Sequence, residues 1–203
     1  MPAKEQKPTL IIGLVGPARS GKDTVAEMLM NNWERDQHFH ARMAFAFPIR
    51  ETFVGLLRCA GVKNPEQWAE GEKKEQTAPI LNISYRQFAQ TFGTEYAHEH
   101  MGRDVWIRAF ESRMQAQVQS GVTHFVVPDV RFAVESDWLR DQGAVLWRIE
   151  RPDARPVREH VSEAGIASIR THRTILNDGS IDDLRKAVGF ELAKLYYEQG
   201  LLA

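Results

Sequence analysis

A chain of 203 residues, 43% hydrophobic and 26% charged, has material for one domain with a sizeable core and is too short for a motor built of several modules. Its formal net charge of −1 supplies no overall basic field for nucleic acid or anionic lipid, and the composition argues against disorder. The single cysteine, Cys59, cannot close an internal disulfide, which fits a reducing compartment; it is expected to be a buried small hydrophobe.

The polar first residues, Met1 to Pro8, lack the apolar stretch of a secretory signal. No apolar run approaches the roughly 20 residues of a membrane span, so the cytoplasm is the expected location. There is no repeat, low-complexity tract or Gly/Ser linker, and residues 1–203 are expected to form one continuous domain. Thr9 to Val15 reads as a strand buried on both faces, followed by a glycine-containing loop. A helix comes next, carrying Val25, Met28, Leu29 and Trp33 on one face. Ala41 to Phe47 suggests a second strand and Ile49 to Ala60 a helix.

From Tyr85 to Glu99 the aromatic residues Tyr85, Phe88, Phe92 and Tyr96 recur at helical spacing and are expected in the core. Arg86, Gln90 and Thr94 fall at i, i+4, i+8 on another face. A further helix is expected over Asp104 to Val118. Thr123 to Val127 and Ala144 to Ile149 read as inner strands, separated by a helix ending near Arg140. Arg151 to Arg158 is loop-like. Arg173 to Leu176 is a last strand, and Ser180 with Asp183 resembles a capping box before a helix striped by Ile181, Leu184, Val188, Leu192 and Leu195. Strands alternating with helices imply an α/β fold with a parallel sheet of about five strands, covered on both faces.

Gly16-Pro17-Ala18-Arg19-Ser20-Gly21-Lys22-Asp23-Thr24 has the G-x-x-x-x-G-K spacing, directly after a buried strand and before an amphipathic helix. Glycines let backbone N–H groups converge on phosphate oxygens, and the helix N-terminus adds partial positive charge. Lys22 is placed to bridge the β- and γ-phosphates of ATP. Asp23 stands where the general motif has the Mg²⁺-binding Ser or Thr, with Thr24 one place later. Asp23 could hold the ion through water, orient Lys22 or a lid arginine, or simply suit the helix dipole. The direct metal ligand is left open.

The GKDT variant, together with YRQFAQTFGTE at Tyr85 to Glu95, RDVWIRAF at Arg103 to Phe110, VVPDVR at Val126 to Arg131, and HVSEAGI with LNDGSIDDL between His160 and Leu184, resembles the bacteriophage deoxynucleoside monophosphate kinases. These segments occur in the family's order and span nearly the whole chain; residues 61–83 match least and read as an insertion over the acceptor site. The resemblance implies a three-layer P-loop kinase fold with an acceptor-binding segment and a lid. It also implies Mg²⁺ and ATP for phosphorylation of a deoxynucleoside monophosphate. Neither nucleic acid nor membrane is expected as a partner, and self-association into a homodimer is left open.

Within that resemblance, Gly16, Arg19, Ser20, Gly21, Lys22, Asp23 and Thr24 form the ATP site, and Asn177 contacts adenine or forms an ordinary Asn-Asp-Gly turn. Lys22, Asp23, Asp129 and Arg131 are the catalytic candidates. Arg86, Gln90, Thr94, Arg103 and Arg131 are assigned to the acceptor, with Arg108 a weaker candidate. Arg151, Arg155 and Arg158 belong to a lid spanning 151–165. Asp23, Thr24 and Asp129 are the candidate metal ligands, directly or through water. Trp106 is expected in the core, and His160 with Glu163 offers too few ligands for a metal site.

Other small-molecule kinases of the class, for phosphomevalonate, dephospho-coenzyme A or a sugar acid, share this loop-and-lid logic. A nucleotide-dependent regulatory module lacks support, since no N-K-x-D motif is present. A nucleic-acid-binding ATPase is disfavoured by charge and size.

Overall fold

The apolar segment Leu10–Val15 forms β1, buried along its whole length, because helices cover both sides of the sheet in which it lies. The computed structural model describes residues 10–152 and 165–201. Five parallel strands are ordered β2-β3-β1-β4-β5. The others are β2 (His40–Arg42), β3 (His124–Val130), β4 (Val145–Glu150) and β5 (Arg173–Leu176).

The helices are α1 (Lys22–Arg35), α2 (Phe47–Cys59), α3 (Tyr85–Gln90), α4 (Ala97–His100), α5 (Val105–Gln119), α6 (Ala133–Asp141) and α7 (Ile181–Glu198). The described chain forms two compact units, one from residues 45–112 and the other from the segments before and after it.

In the sheet-bearing unit, alternate residues of β1 divide between two layers, as a period of two requires. Leu10, Ile12 and Leu14 join Trp147, Ile149 and Ile175 against Val25, Leu29 and Trp33 of α1 and Leu184, Val188, Leu192 and Leu195 of α7. On the opposite face Gly13 lies under α6: a Cβ there would come within 2.5 Å of Leu146 and 3.2 Å of Leu139. The α7 stripe is buried except for Ile181, which is 53% exposed in the first turn. The expected cap is present, with Ser180 Oγ accepting from the Asp183 N–H at 3.2 Å and the Asp183 carboxylate accepting from the Ser180 N–H at 3.1 Å.

The second strand is shorter than expected. β2 is an edge strand that pairs only with β3, and Phe47 opens α2 instead, with Pro48 in a first turn that needs no N–H donor. β3 is longer than expected. Gly13 pairs with Val127 but Val15 pairs with Val130, so a bulge accommodates Pro128 and Asp129.

The unit of residues 45–112 has its own core, in which Ile49, Phe53, Val54 and Leu57 of α2 meet Phe88 and the partly buried Tyr85, Phe92 and Trp106. Tyr96 is 53% exposed, so the aromatic series ends outside the core. Cys59, expected to be buried, is exposed at the C-terminus of α2, which buries Phe53, Val54 and Leu57 instead. None of the described helices is long and apolar enough to cross a membrane.

At the N-terminal end of the sheet His124 is buried beneath the His38 ring, stacked at 4.1 Å, and beside Trp33 at 5.4 Å. Burial, then His38 and His40, push its imidazole down to about 4. A depressed histidine favours the fold while neutral, so its contribution is present above about 6.5 and is lost as pH falls through about 4. His124→Gln removes this titration and should flatten the loss of stability between pH 6.5 and 4, measured by urea unfolding across that range. Parallel pH profiles would disprove the assignment.

Candidate functional site

The loop after β1 closes on itself without side-chain bulk at two points. A Cβ on Gly16 would lie 2.4 Å from the Ile149 carbonyl oxygen, and one on Gly21 would lie 2.5 Å from the Asn177 side-chain nitrogen. Gly21 adopts φ 102° and Arg19 the left-handed φ 65°, which turns the chain into the first residue of α1. No side chain caps α1. Its first-turn N–H groups therefore suit an anion. Ser20 is fully buried, and its hydroxyl has no hydrogen-bond partner among the described residues. The Lys22 ammonium donates to the Gly16 and Pro17 carbonyls, each at 2.7 Å, which centres a cation on the loop.

Asp23 and Thr24 follow in the first turn of α1, with Asp23 exposed and Thr24 partly buried. The Asp23 carboxylate accepts from Arg42, at the end of β2, a partner that sequence reasoning did not find. Among the described residues no three His, Cys, Asp or Glu side chains form a self-sufficient metal cluster. The donors Asp23, Thr24 and Asp129 are nonetheless hard oxygens of the kind Mg²⁺ takes alongside substrate phosphates, so the residues fit that ion in the company of a nucleotide.

Asn177 continues the β5 pairing, its N–H donating to the Glu150 carbonyl at 2.7 Å. Its side-chain amide donates to the Ser20 carbonyl at 2.9 Å, a tie to the loop that the Asn-Asp-Gly turn alone does not reveal.

Asp129 lies half-buried in the β3 bulge, and Arg131 follows at the strand's carboxyl end, where parallel sheets present ligand groups. Glu135, also missed from sequence, holds this turn. Its carboxylate accepts from the Arg131 N–H at 2.8 Å and the Phe132 N–H at 3.0 Å. A glutamate at the third position of α6 is a capping signal that could have revealed it. Burial and then the Asp129 charge push Glu135 up to about 8, against the two backbone bonds.

After β4, Arg151 is exposed; Arg155, Arg158, His160 and Glu163 lie outside the described residues. Arg148, unremarked in the sequence, reaches the Ile166 carbonyl at 3.3 Å and also bonds the Ile169 carbonyl, tying the return segment to β4.

In the unit of residues 45–112, Arg86 grips Glu75: its Nε donates to the two carboxylate oxygens at 2.7 and 2.8 Å, and an Nη lies 2.6 Å from one of them. Gln90 and Thr94 are half-buried. The chain forms a π-turn over Thr91–Tyr96, so Thr94 is rotated away from the straight i, i+4, i+8 line expected with Arg86 and Gln90. That turn brings Gly93 against Ile49, where a Cβ would meet Cδ1 at 2.6 Å, and its carbonyl accepts from the Trp106 indole at 2.6 Å. Trp106 is thus packed in the core as expected. Arg103 is exposed, and Arg108 pairs with Asp104 at 2.6 Å.

Residues 59–188 match the family described as deoxynucleotide monophosphate kinase. The chain is 26% identical to the deoxynucleotide monophosphate kinase of Enterobacteria phage T4, across 86% of this chain and 95% of that protein. It is 24% identical to the deoxynucleoside-5'-monophosphate kinase of Escherichia phage T5, across 89% and 94%. The deoxynucleotide monophosphate kinase of Escherichia phage RB69 is 28% identical over 50% of this chain and 41% of its own length.

Two outcomes follow from this geometry. If Asn177 acts by holding the loop, Asn177→Ala should weaken ATP and GTP binding alike, by about fivefold for a hydrogen bond worth ~1 kcal/mol. A loss confined to ATP, in equilibrium titrations of both nucleotides, would mean that Asn177 reads adenine. For Glu135, a carboxyl raised in the fold contributes stability that is present below about 4.5 and lost as pH rises through about 8. Glu135→Gln should therefore gain stability relative to the unaltered protein between pH 6 and pH 9; equal urea midpoint shifts at both would refute this.

Proposed function

The chain belongs to the deoxynucleotide monophosphate kinase family, and from that membership we propose how its residues carry the γ-phosphate of ATP to a deoxynucleoside 5'-monophosphate, releasing ADP and the diphosphate. The observation that carries the reading is the loop at Gly16–Gly21, with its buried hydroxyl, its central ammonium and the uncapped helix behind it. In this reading Lys22 leaves the Gly16 and Pro17 carbonyls for the β- and γ-phosphates and follows the charge as the phosphoryl group moves. Arg19, Ser20 and Thr24 complete the donor site, and Asn177 holds the loop in shape.

The ion proposed is Mg²⁺, bound by Asp23, Thr24 or Asp129 directly or through water; when bound it screens the charge shared by the phosphates. The monophosphate already carries an ionised oxygen as nucleophile, so no general base is required. The protein's work is alignment and charge stabilisation. Arg86 and Arg131 are assigned to the acceptor phosphate, with Gln90, Thr94 and Arg103 as further acceptor contacts. Arg151, Arg155 and Arg158 are assigned to a lid over the transferring group. Glu75 accepts from the Arg86 guanidinium, whose planar fork also suits a phosphate. The proposed compartment is the cytoplasm, a host cell's for a phage-borne chain.

A coupled ADP-release assay over the common ribo- and deoxynucleoside monophosphates tests the function, and stimulation by none of them would overturn it. Lys22→Ala should abolish most turnover with the circular dichroism spectrum unchanged. Arg86→Ala and Arg131→Ala should each cost about 2–4 kcal/mol, roughly 30- to 1000-fold in kcat/KM for the monophosphate, as lost charged contacts do in closed sites. ATP affinity should barely change, and lysine replacements should rescue only in part. Equal loss of ATP binding would move these arginines to the donor side.

A further inference from the structure

Asp23 poses a charge problem that Arg42 resolves. A carboxylate one residue after the loop lysine lies in the first turn of α1, where the proposed donor site must accept a strongly anionic triphosphate. Such a group suits the helix dipole but repels the ligand that the dipole attracts. Its side chain is 79% exposed, so burial does not explain it, and an exposed ion pair adds little to folding stability.

The fold brings a cation to it from elsewhere in the chain. β2 is an edge strand of only three residues, ending at Arg42. Arg42 pairs with Val126 of β3, and Met43 still donates its N–H to the Val126 carbonyl at 2.9 Å, which fixes the backbone on both sides of the arginine. From the carboxyl edge of the sheet the guanidinium crosses to the N-terminus of α1 and donates to Asp23 Oδ1. Arg42 is 37% exposed, far less than its partner, so it is the better-held member of the pair.

We infer that Arg42 is a positioning residue of the phosphate-donor site: it neutralises Asp23 and holds its carboxylate aside, so that the loop beside Lys22 stays electropositive. This rests on the donor-site reading above. It accounts for an aspartate in a position where the general motif has a hydroxyl residue: the acid comes with its own counter-ion, supplied by β2. Arg42 acts through Asp23 and not on the phosphates, which separates it from Lys22.

The test is a double-mutant cycle read by equilibrium ATP titration of the full chain in EDTA, so that turnover and metal do not enter. Arg42→Gln should weaken ATP binding by about tenfold, within the range of coupling seen for residues in direct contact. Asp23→Asn should remove that dependence: the double variant should bind ATP within about twofold of Asp23→Asn alone, since the charge to be neutralised is gone. Arg42→Lys should restore most of the affinity, and thermal melts should show that each variant folds. An equal loss on Arg42→Gln in the Asp23→Asn background would overturn the inference in favour of direct phosphate contact, and no loss in either background would also overturn it. If the unaltered protein binds ATP no better than Lys22→Ala, the donor-site reading itself fails, an outcome distinct from the other two.

Discussion

The backbone at the end of β1 has to pass so close to β4 and to Asn177 that neither Gly16 nor Gly21 has room for a Cβ. The rest of the site depends on that crowding. The Ile149 carbonyl presses on Gly16 because β4 pairs beside β1, and Asn177 reaches Gly21 because β5 pairs beside β4 and its last main-chain bond runs to Glu150. The sheet order is thus what shapes the loop. On the other flank β3 brings Asp129 and Arg131 to the same edge of the sheet, and β2, beyond it, brings Arg42. Every strand of the sheet thus presents something at its carboxyl edge, the edge at which parallel sheets bind ligands.

Much of this was legible from local pattern. The continuous apolar run of β1, the spacing of Gly16, Gly21 and Lys22, the buried stripes of α1 and α7 and the Ser180 cap all express themselves within a few residues of sequence, where periodicity and capping chemistry are informative. β5 is found where expected, because a short β-branched segment between turn residues has few alternatives.

What was not legible depends on partners distant in sequence. Asp23 offers three plausible roles when read alone, and only the pairing of β2 with β3 brings Arg42 to it across 19 residues. Asn177 meets Ser20 across 157 residues. The bulge that absorbs Pro128 and the π-turn that rotates Thr94 are each one residue out of register, a change that no periodicity count resolves because the pattern on either side is intact. Cys59 was misjudged for a related reason: composition says what a thiol prefers, but the buried face of α2 is chosen by Phe53, Val54 and Leu57, and position 59 falls off it. Glu135 was overlooked because a glutamate in a first turn is commonplace; what distinguishes this one is its burial under the turn it caps.

Two cations of the proposed sites are held by oxygens of the protein, and the kind of oxygen differs. Lys22 sits on two neutral carbonyls, whereas Arg86 sits on the carboxylate of Glu75. Charge-assisted bonds are roughly twice as strong as neutral ones. In the proposed roles an ATP phosphate takes the place of these neutral carbonyls on Lys22, a weaker hold than a carboxylate's. An acceptor phosphate must compete for Arg86 with an anion already in bidentate register, and a group without a full negative charge and two suitably spaced oxygens would lose that contest. Glu75 would then work as a filter against the wrong acceptor as well as a splint for the right one, so that discrimination rests partly on what the arginine already holds. Arg42 differs from both: its carboxylate partner is the group that phosphate would otherwise meet, and while no ion is on Asp23 the pair serves the donor site by staying closed.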